Sequence, residues 1–207
     1  MRGDRDFGFT DEQRMLRDAV REFVRKEMPD AQARRHDREK IAPLAAFDKM
    51  AALGWLGVAI PEEYGGSGLG FVELGIVQEE LSYGLLELAV LFYRATVHGA
   101  HSLMTYGSEA QRRKYLPLIA QGKFKSSMSL TEPNAGSDAS AVRTRAVRDG
   151  DHYVINGAKV FNSQIDLADR TVLVTRTDPD APPHKGISLF FVDPKSPGVT
   201  IERIETL

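Results

Sequence analysis

The apolar residues of this chain follow two different periods. The switch between them, near Gly122, restricts the chain to a helical part followed by a strand-rich part. Before the switch the spacing is helical. Thr10 and Gln13 have the spacing of a capping box, and Leu16, Ala19, Val20, Phe23 and Val24 follow on one face until Pro29 ends the segment. A second helix is predicted from Pro43 to Gly54, with Leu44, Phe47, Met50 and Ala51 inward. Residues 61–70 read as a glycine-rich loop. A third helix carries Leu74, Val77 and Leu81 on one face, with Gly84 near its end. Residues 85–106 are apolar on most sides, which predicts a buried helix. Ser108 and Gln111 form another capping-box pair, for a helix that stops near Gly122.

After Lys125 the period becomes two. Residues 142–148 read as a strand, Asp149-Gly150 as a hairpin turn, residues 153–155 as a strand, and Asn156-Gly157 as a second turn signal. Residues 171–177 and 187–192 are strong strand patterns, joined by a loop rich in Pro and Asp at 178–183. The fold class expected is therefore α+β: an all-α N-terminal domain over residues 1–124, then an antiparallel β-domain over residues 125–207. One more strand is expected at 199–204, just before Leu207. A small sheet ending there keeps an open edge and an incomplete core, so the β-domain is expected to be truncated.

Bulk composition narrows the function classes. Apolar residues make up 42% of the 207, charged residues 27%, and the net charge is −2, so nothing points to a nucleic-acid or membrane-surface partner. The absence of cysteine excludes disulfides, thiolate catalysis and thiolate-bound metals. The charged start, Met1 to Asp6, has no apolar stretch behind it, and no run is long enough to span a bilayer. A cytoplasmic location is the default expectation, with a cleaved transit peptide left open.

The most specific stretch is Ser129-Leu130-Thr131-Glu132-Pro133-Asn134-Ala135-Gly136-Ser137-Asp138. Physically it is a strand ending in a polar turn. Pro133 stiffens that turn, and Gly136 allows positive φ or a close backbone approach. Successive N–H groups in such a turn can form an anion-binding nest, to which the hydroxyls of Thr131 and Ser137 add donors. A surface turn capped by its own Asn, Ser and Asp has the same composition, so the residues alone leave both readings open.

The stretch resembles the signature of the acyl-CoA dehydrogenase family, and other segments match in order. Gly54-Trp55-Leu56-Gly57, followed by Pro61-Glu62-Glu63-Tyr64-Gly65-Gly66, is similar to the family's early loop. Tyr106-Gly107-Ser108-Glu109-Ala110-Gln111 and Tyr115-Leu116-Pro117 resemble the segment before the signature. Asn156-Gly157-Ala158-Lys159, Phe161-Asn162-Ser163-Gln164 and Ala168-Asp169 resemble a second flavin-contacting segment. The resemblance implies a helical domain, a β-barrel-like middle domain and a C-terminal helical bundle, with FAD as cofactor and an acyl-CoA thioester as substrate. It implies that Met128, Ser129, Leu130 and Thr131 line the flavin ring, with Leu130 and Thr131 on its pyrimidine side. Ser137 would meet the cofactor's phosphate or the thioester portion of the substrate, and Phe161, Asn162 and Ser163 would follow the other edge of the ring. Three positions depart from the family pattern. Trp or Tyr is more usual at Phe161, Ile at Asn162 and Asn at Gln164.

In the family a carboxylate removes the α-proton as hydride leaves the β-carbon. The resemblance places that base in the C-terminal bundle, so no catalytic residue is expected in these 207 and Glu132 reads as a positioning residue. The chain alone is expected to be inactive. An electron-transfer flavoprotein and a homo- or hetero-oligomeric assembly are the implied partners. An acyl-CoA oxidase or another flavoenzyme on the same scaffold is one alternative, and a naturally short non-catalytic subunit is another. Residues 65–70 lack the G-x-G-x-x-G spacing and its strand–loop–helix context. His98 and His101 have no carboxylate beside them to complete a metal set, and no metal site is expected.

Overall fold

The computed structural model describes residues 8–204. The charged start at residues 1–6 and the final Leu207 lie outside them. The described residues divide into two compact units that meet between Lys123 and Phe124.

The first unit is helical. Helix α1, Asp11–Glu27, starts at the Thr10–Gln13 capping box, with both reciprocal bonds present. Its buried stripe is Arg17, Val20 and Phe23, whereas Ala19, expected inward, is exposed. Pro29 ends α1 and also begins α2, Asp30–Glu39, which buries no residue. That helix carries the basic run at Arg34, Arg35 and Arg38, and its charges pair internally, as in Arg35–Glu39 at 3.1 Å. Helix α3 is Leu44–Ala52 and α4 is Phe71–Gly84.

Helices α1 and α4 run parallel, because their contacts keep the same order along both. Gln13 Nε2 donates to Glu73 Oε1 at 2.6 Å, Arg21 Nε donates to Glu80 Oε1 at 2.9 Å, and Gly84 packs against Val24. The expected buried helix at 85–106 is instead three consecutive segments: α5 at Leu86–Tyr93, a π-helical stretch at Arg94–His101, and α6 at Ser102–Tyr106. Helix α7, Glu109–Ala120, begins at the second capping box, Ser108–Gln111. Val20, Phe47, Met50, Leu56, Val77, Leu81, Leu88, Phe92, Leu116 and Ile119 form the dry centre of this unit.

The glycine-rich segment at 61–70 is a tightly bonded return. Ser67, Gly68 and Leu69 donate backbone N–H groups to Gly57, Ile60 and Val58, each at 2.9 Å. Tyr64, buried at its centre, donates its hydroxyl to Glu109 at 2.8 Å.

The second unit is built on a mixed five-stranded sheet. Its strands are β1 at Ser126–Ser129, β2 at Arg145–Asp149, β3 at His152–Asn156, β4 at Arg170–Arg176 and β5 at Ile187–Val192. Strand β5 pairs antiparallel with β4 along Thr171 to Arg176. The other edge of β4 is shared: β1 runs parallel to Arg170 through Leu173, and β2 meets it at Arg176. The sheet is therefore mixed and open, where an antiparallel, barrel-like one is expected. The period of two reports which residues share a face and is blind to strand direction. The Asp149-Gly150 signal is a true hairpin, with Asp149 opposite His152. Residues 199–204 pair with no strand, and Val199, Ile201 and Ile204 are exposed.

A Cβ on Gly66 would lie 2.0 Å from the Ile60 carbonyl oxygen and 2.5 Å from its carbon, both backbone atoms. Replacing Gly66 by Ala is expected to cost about 1–3 kcal/mol, the usual range for forced overpacking. Thermal unfolding of the variant reads this directly. An unchanged transition would mean that the 61–70 return is not held as described.

Candidate functional site

The site grows from the end of β1. Residues 129–132 leave the sheet there, and the long connection from β3 to β4, residues 157–169, is laid beside them. Gly157 starts that connection. Its φ of +154° and its packing against Thr144, where a Cβ would lie 2.6 Å from the backbone Cα, suit only glycine. For this reason Asn156-Gly157 opens a long loop where a second hairpin is expected.

Three residues seat the loop through four bonds. Val160 N–H donates to the Thr131 carbonyl at 2.8 Å. Lys159 Nζ donates to the Leu130 carbonyl at 2.9 Å and to Glu132 Oε1 at 2.8 Å. Asn162 Nδ2 donates to Ser129 Oγ. Glu132 is bonded on both sides. Its Oε2 accepts from the Arg143 amide at 2.7 Å, and its Oε1 accepts from the Thr144 amide at 2.8 Å as well as from Lys159. The two charged side chains are only 6% and 9% exposed for Glu132 and Lys159. Burial alone would raise the Glu132 pKa. The Lys159 ammonium and the amides of Arg143 and Thr144 more than offset this, and bring it from 4.5 down to about 2. Burial also pulls Lys159 below its ordinary value, with the attraction of Glu132 working against it. Both oxygens of Glu132 are thus occupied, and its geometry is that of a brace.

The far side of the loop is more open. Phe161 has φ of +58° and is 76% exposed, and Gln164 has φ of +54°. Two non-glycine residues in the left-handed region within four positions cost roughly 1–2 kcal/mol each, and they persist because the seating bonds overdetermine the backbone. Between them Asn162 is half-buried and Ser163 exposed. Ser129 Oγ lies 2.7 Å from Thr171 Oγ1 of β4, so a hydroxyl–hydroxyl–carboxamide chain links β4, β1 and the loop. The carboxamide oxygen of Asn162 is buried and has no hydrogen-bond partner among the described residues.

The structure therefore gathers most of the residues singled out from the sequence. Ser129 is buried under Asn162, and Met128 and Thr131 are half-buried beside it. Phe161, Asn162 and Ser163 stand on the facing loop. Leu130 packs its side chain on Ala135, Val142 and Val174, so only its backbone belongs to the loop contact. Ser137 is exposed in the turn after the Glu132–Ala135 bridge, and no hydrogen bond ties it to the cluster among the described residues. The roles of Lys159, Arg143, Thr144 and Thr171 are not visible in the sequence, because each depends on a partner 11 to 42 residues away.

His98 and His101 make separate ring contacts, with Tyr93 at 4.7 Å and Phe71 at 5.2 Å. Burial, reinforced by Arg94, holds the His98 pKa down to about 4, so the ring is neutral at physiological pH.

Removing the cation from the brace should be costly. Lys159→Met is expected to destabilise the second unit by about 3 kcal/mol, since a buried carboxylate loses its counter-ion. The Glu132 pKa is lowered by folding, so its contribution is complete above pH 4.5 and is lost as pH falls towards 2. Glu132→Gln should flatten the acid limb of unfolding across that window, followed by circular dichroism. Superimposable acid limbs in the two proteins would count against the brace.

Comparison with known proteins places both units in one family. Residues 10–123 match the family model for the acyl-CoA dehydrogenase N-terminal domain, and residues 127–207 match that for the middle domain. The chain is 40% identical over 191 residues to an acyl-CoA dehydrogenase of Mycobacterium tuberculosis, covering 91% of this chain and 49% of that protein. It is 36% identical over 206 residues to glutaryl-CoA dehydrogenase of Desulfococcus multivorans, covering 98% and 52%. A solved glutaryl-coenzyme A dehydrogenase in complex with glutaryl-CoA superposes with a TM-score of 0.90 at 36% identity, over 97% of this chain and 51% of that one. The chain thus spans about half the length of the curated relatives it matches. With both of its units matched in order, the chain belongs to the acyl-CoA dehydrogenase family.

Proposed function

We propose that this chain forms the flavin-facing part of an FAD-dependent acyl-CoA dehydrogenase, which takes hydrogen from the α- and β-carbons of an acyl-CoA thioester. The observation that carries the reading is the seating of residues 157–164 along residues 129–132 through Lys159, Val160 and Asn162. The groups there fit a flat heterocycle with one polar edge. Phe161 offers an exposed aromatic face and the exposed Ser163 a hydroxyl beside it, with Asn162 between them assigned to the same edge of the ring. Bound FAD would supply the hydride acceptor.

The chain's own residues do the positioning. Lys159 engages the Leu130 carbonyl, which keeps the backbone of Leu130 and Thr131 from turning away from the ring. Met128 and Ser129 precede them on β1, and the sheet holds their register. Ser137, exposed on the next turn, is assigned to the cofactor's phosphate or to the thioester portion of the substrate.

Abstraction of the α-proton needs a carboxylate with a free oxygen near the substrate. Glu132 does not qualify, since three hydrogen bonds, from the amides of Arg143 and Thr144 and the ammonium of Lys159, engage both its oxygens. We assign the base to residues other than these 207. Electrons would pass to an electron-transfer flavoprotein or an equivalent acceptor, in a homo- or hetero-oligomer located in the cytoplasm. No helix among the described residues is long and apolar enough to cross a membrane.

The native protein from its source, mixed anaerobically with acyl-CoA thioesters of graded length, is expected to bleach its flavin absorption and yield the 2-enoyl thioester. Failure to bleach with any thioester overturns the proposal. Peroxide release in air at the rate of bleaching would identify an oxidase instead. The purified 207-residue chain with added FAD is expected to give no product, and turnover by it would place a base within these residues.

A further inference from the structure

The last residue of β4 is a cation that bonds only to backbone. Arg176 stands between two strands, opposite Arg145 of β2 and Ile187 of β5. Its own N–H donates to the Thr144 carbonyl at 2.7 Å, which fixes the point from which the side chain leaves. The guanidinium then reaches two separate segments. Nη2 donates to the Ser140 carbonyl and, at 3.4 Å, to the Val142 carbonyl, while Nη1 donates to the Pro183 carbonyl at 2.6 Å. The side chain has no ion pair among the described residues, so orientation and not charge neutralisation is what these bonds provide. Gly186 lets the second segment pack against it, since a Cβ there would lie 3.0 Å from Nη1 and 2.0 Å from the Asp178 carbonyl oxygen. Ser140 belongs to a single helical turn, Ala139–Ala141, which is too short to support itself. Asp138 caps that turn: its Oδ1 accepts from the Ser140 amide at 3.0 Å and from the Ser140 hydroxyl at 2.6 Å. Ser137 comes directly before Asp138, is exposed, and lies two residues past the Glu132–Ala135 bridge. No hydrogen bond of its own holds it among the described residues, so its place depends on the turn that follows, and that turn hangs on Arg176.

We infer that Arg176 is a positioning residue: its planar fork ties residues 137–142 to the end of β4 and so holds the Ser137 hydroxyl against a ligand oxygen. The inference rests on the flavin-dehydrogenase reading above, which assigns Ser137 to the cofactor's phosphate or to the thioester portion of the substrate. Either group presents an oxygen that accepts the hydroxyl proton. A guanidinium suits the task because its donors point in fixed directions and serve two segments at once. A lysine ammonium carries the same charge on a flexible stem, without that fork.

The test is a double-mutant cycle in the full-length native protein, read as the Kd for FAD and the KM for an acyl-CoA. Ser137→Ala is expected to weaken one of the two about tenfold, as for loss of one hydrogen bond to a polar ligand oxygen, and the constant that moves identifies the source of that oxygen. Arg176→Met should weaken the same constant about fivefold. Placed in the Ser137→Ala protein, Arg176→Met should add less than about twofold, because it acts through a hydroxyl already removed. Arg176→Lys keeps the charge and should still lose about threefold or more. In the flavin-free Arg176→Met protein the amides of Ser140 and Ala141 should exchange with deuterium about tenfold faster than in the unchanged protein. A roughly fiftyfold loss in the double variant, the product of independent effects, would overturn the proposal and leave Arg176 a general support of the sheet. So would full affinity in Arg176→Lys, or unaltered exchange of the two amides. Should Arg176→Met fail to fold, Arg176→Lys with and without Ser137→Ala completes the same cycle. If the unchanged protein takes up no FAD and shows no saturation with any acyl-CoA, the reading of Ser137 fails and the proposal falls with it; that outcome is seen before any variant is made, so it is distinct from a failure of the Arg176 tether.

Discussion

The second unit depends on one buried carboxylate. Glu132 sits just past the end of β1 and holds three separate stretches of chain: the amides of Arg143 and Thr144, and the ammonium of Lys159. An ion pair this deep gains little net stability over a well-packed apolar pair, because both charges lose their water. Its value here is directional. The apolar contacts of Ala135, Val142 and Val174 could tolerate small slips of the loop. A carboxylate with both oxygens committed cannot, since any slip leaves a buried charge with fewer partners. The brace therefore sets where residues 157–164 lie relative to β1.

Strand β4 makes that arrangement possible. It gives one edge to β5 and divides the other between β1 and β2. Because β1 runs parallel to β4, the chain cannot return through a tight turn and needs a long crossover. The β2–β3 hairpin and the 157–169 loop fill that crossover. The loop is thus a consequence of the parallel pairing, and its length gives it the freedom to carry a strained, exposed segment at Phe161 and Gln164. Strain of this kind survives where the surroundings overdetermine the backbone, and the bonds from Lys159, Val160 and Asn162 do so here.

In the first unit a similar logic operates with less charge. The parallel contact of α1 and α4 is keyed by Gln13–Glu73 and Arg21–Glu80, and by a glycine that lets the two helices approach at Val24. Glu73 serves twice, since it also accepts the Gly70 N–H that opens α4. The π-helical stretch at Arg94–His101 interrupts an otherwise regular helix and buries Arg94 within it. Apolar periodicity cannot announce such a change, because adding one residue to a turn alters the face without altering the composition.

Local signals were legible wherever the physics is local. Both capping boxes and the Asp149-Gly150 hairpin need only neighbours within a few residues, and each is found as read. The ordered motifs from Gly54 to Asp169 were sufficient to indicate the family, because several separate stretches agree. Strand direction, the pairing of Lys159 with Glu132, the exposure of Phe161 and the unpartnered oxygen of Asn162 belong to the tertiary structure alone. Each arises between residues far apart in the chain. The sequence by itself determined the helical and strand-bearing halves and the family. Only the fold decided which way β1 runs and what the 157–169 loop presents, because long-range hydrogen bonds to buried groups leave no periodic trace in the order of the residues.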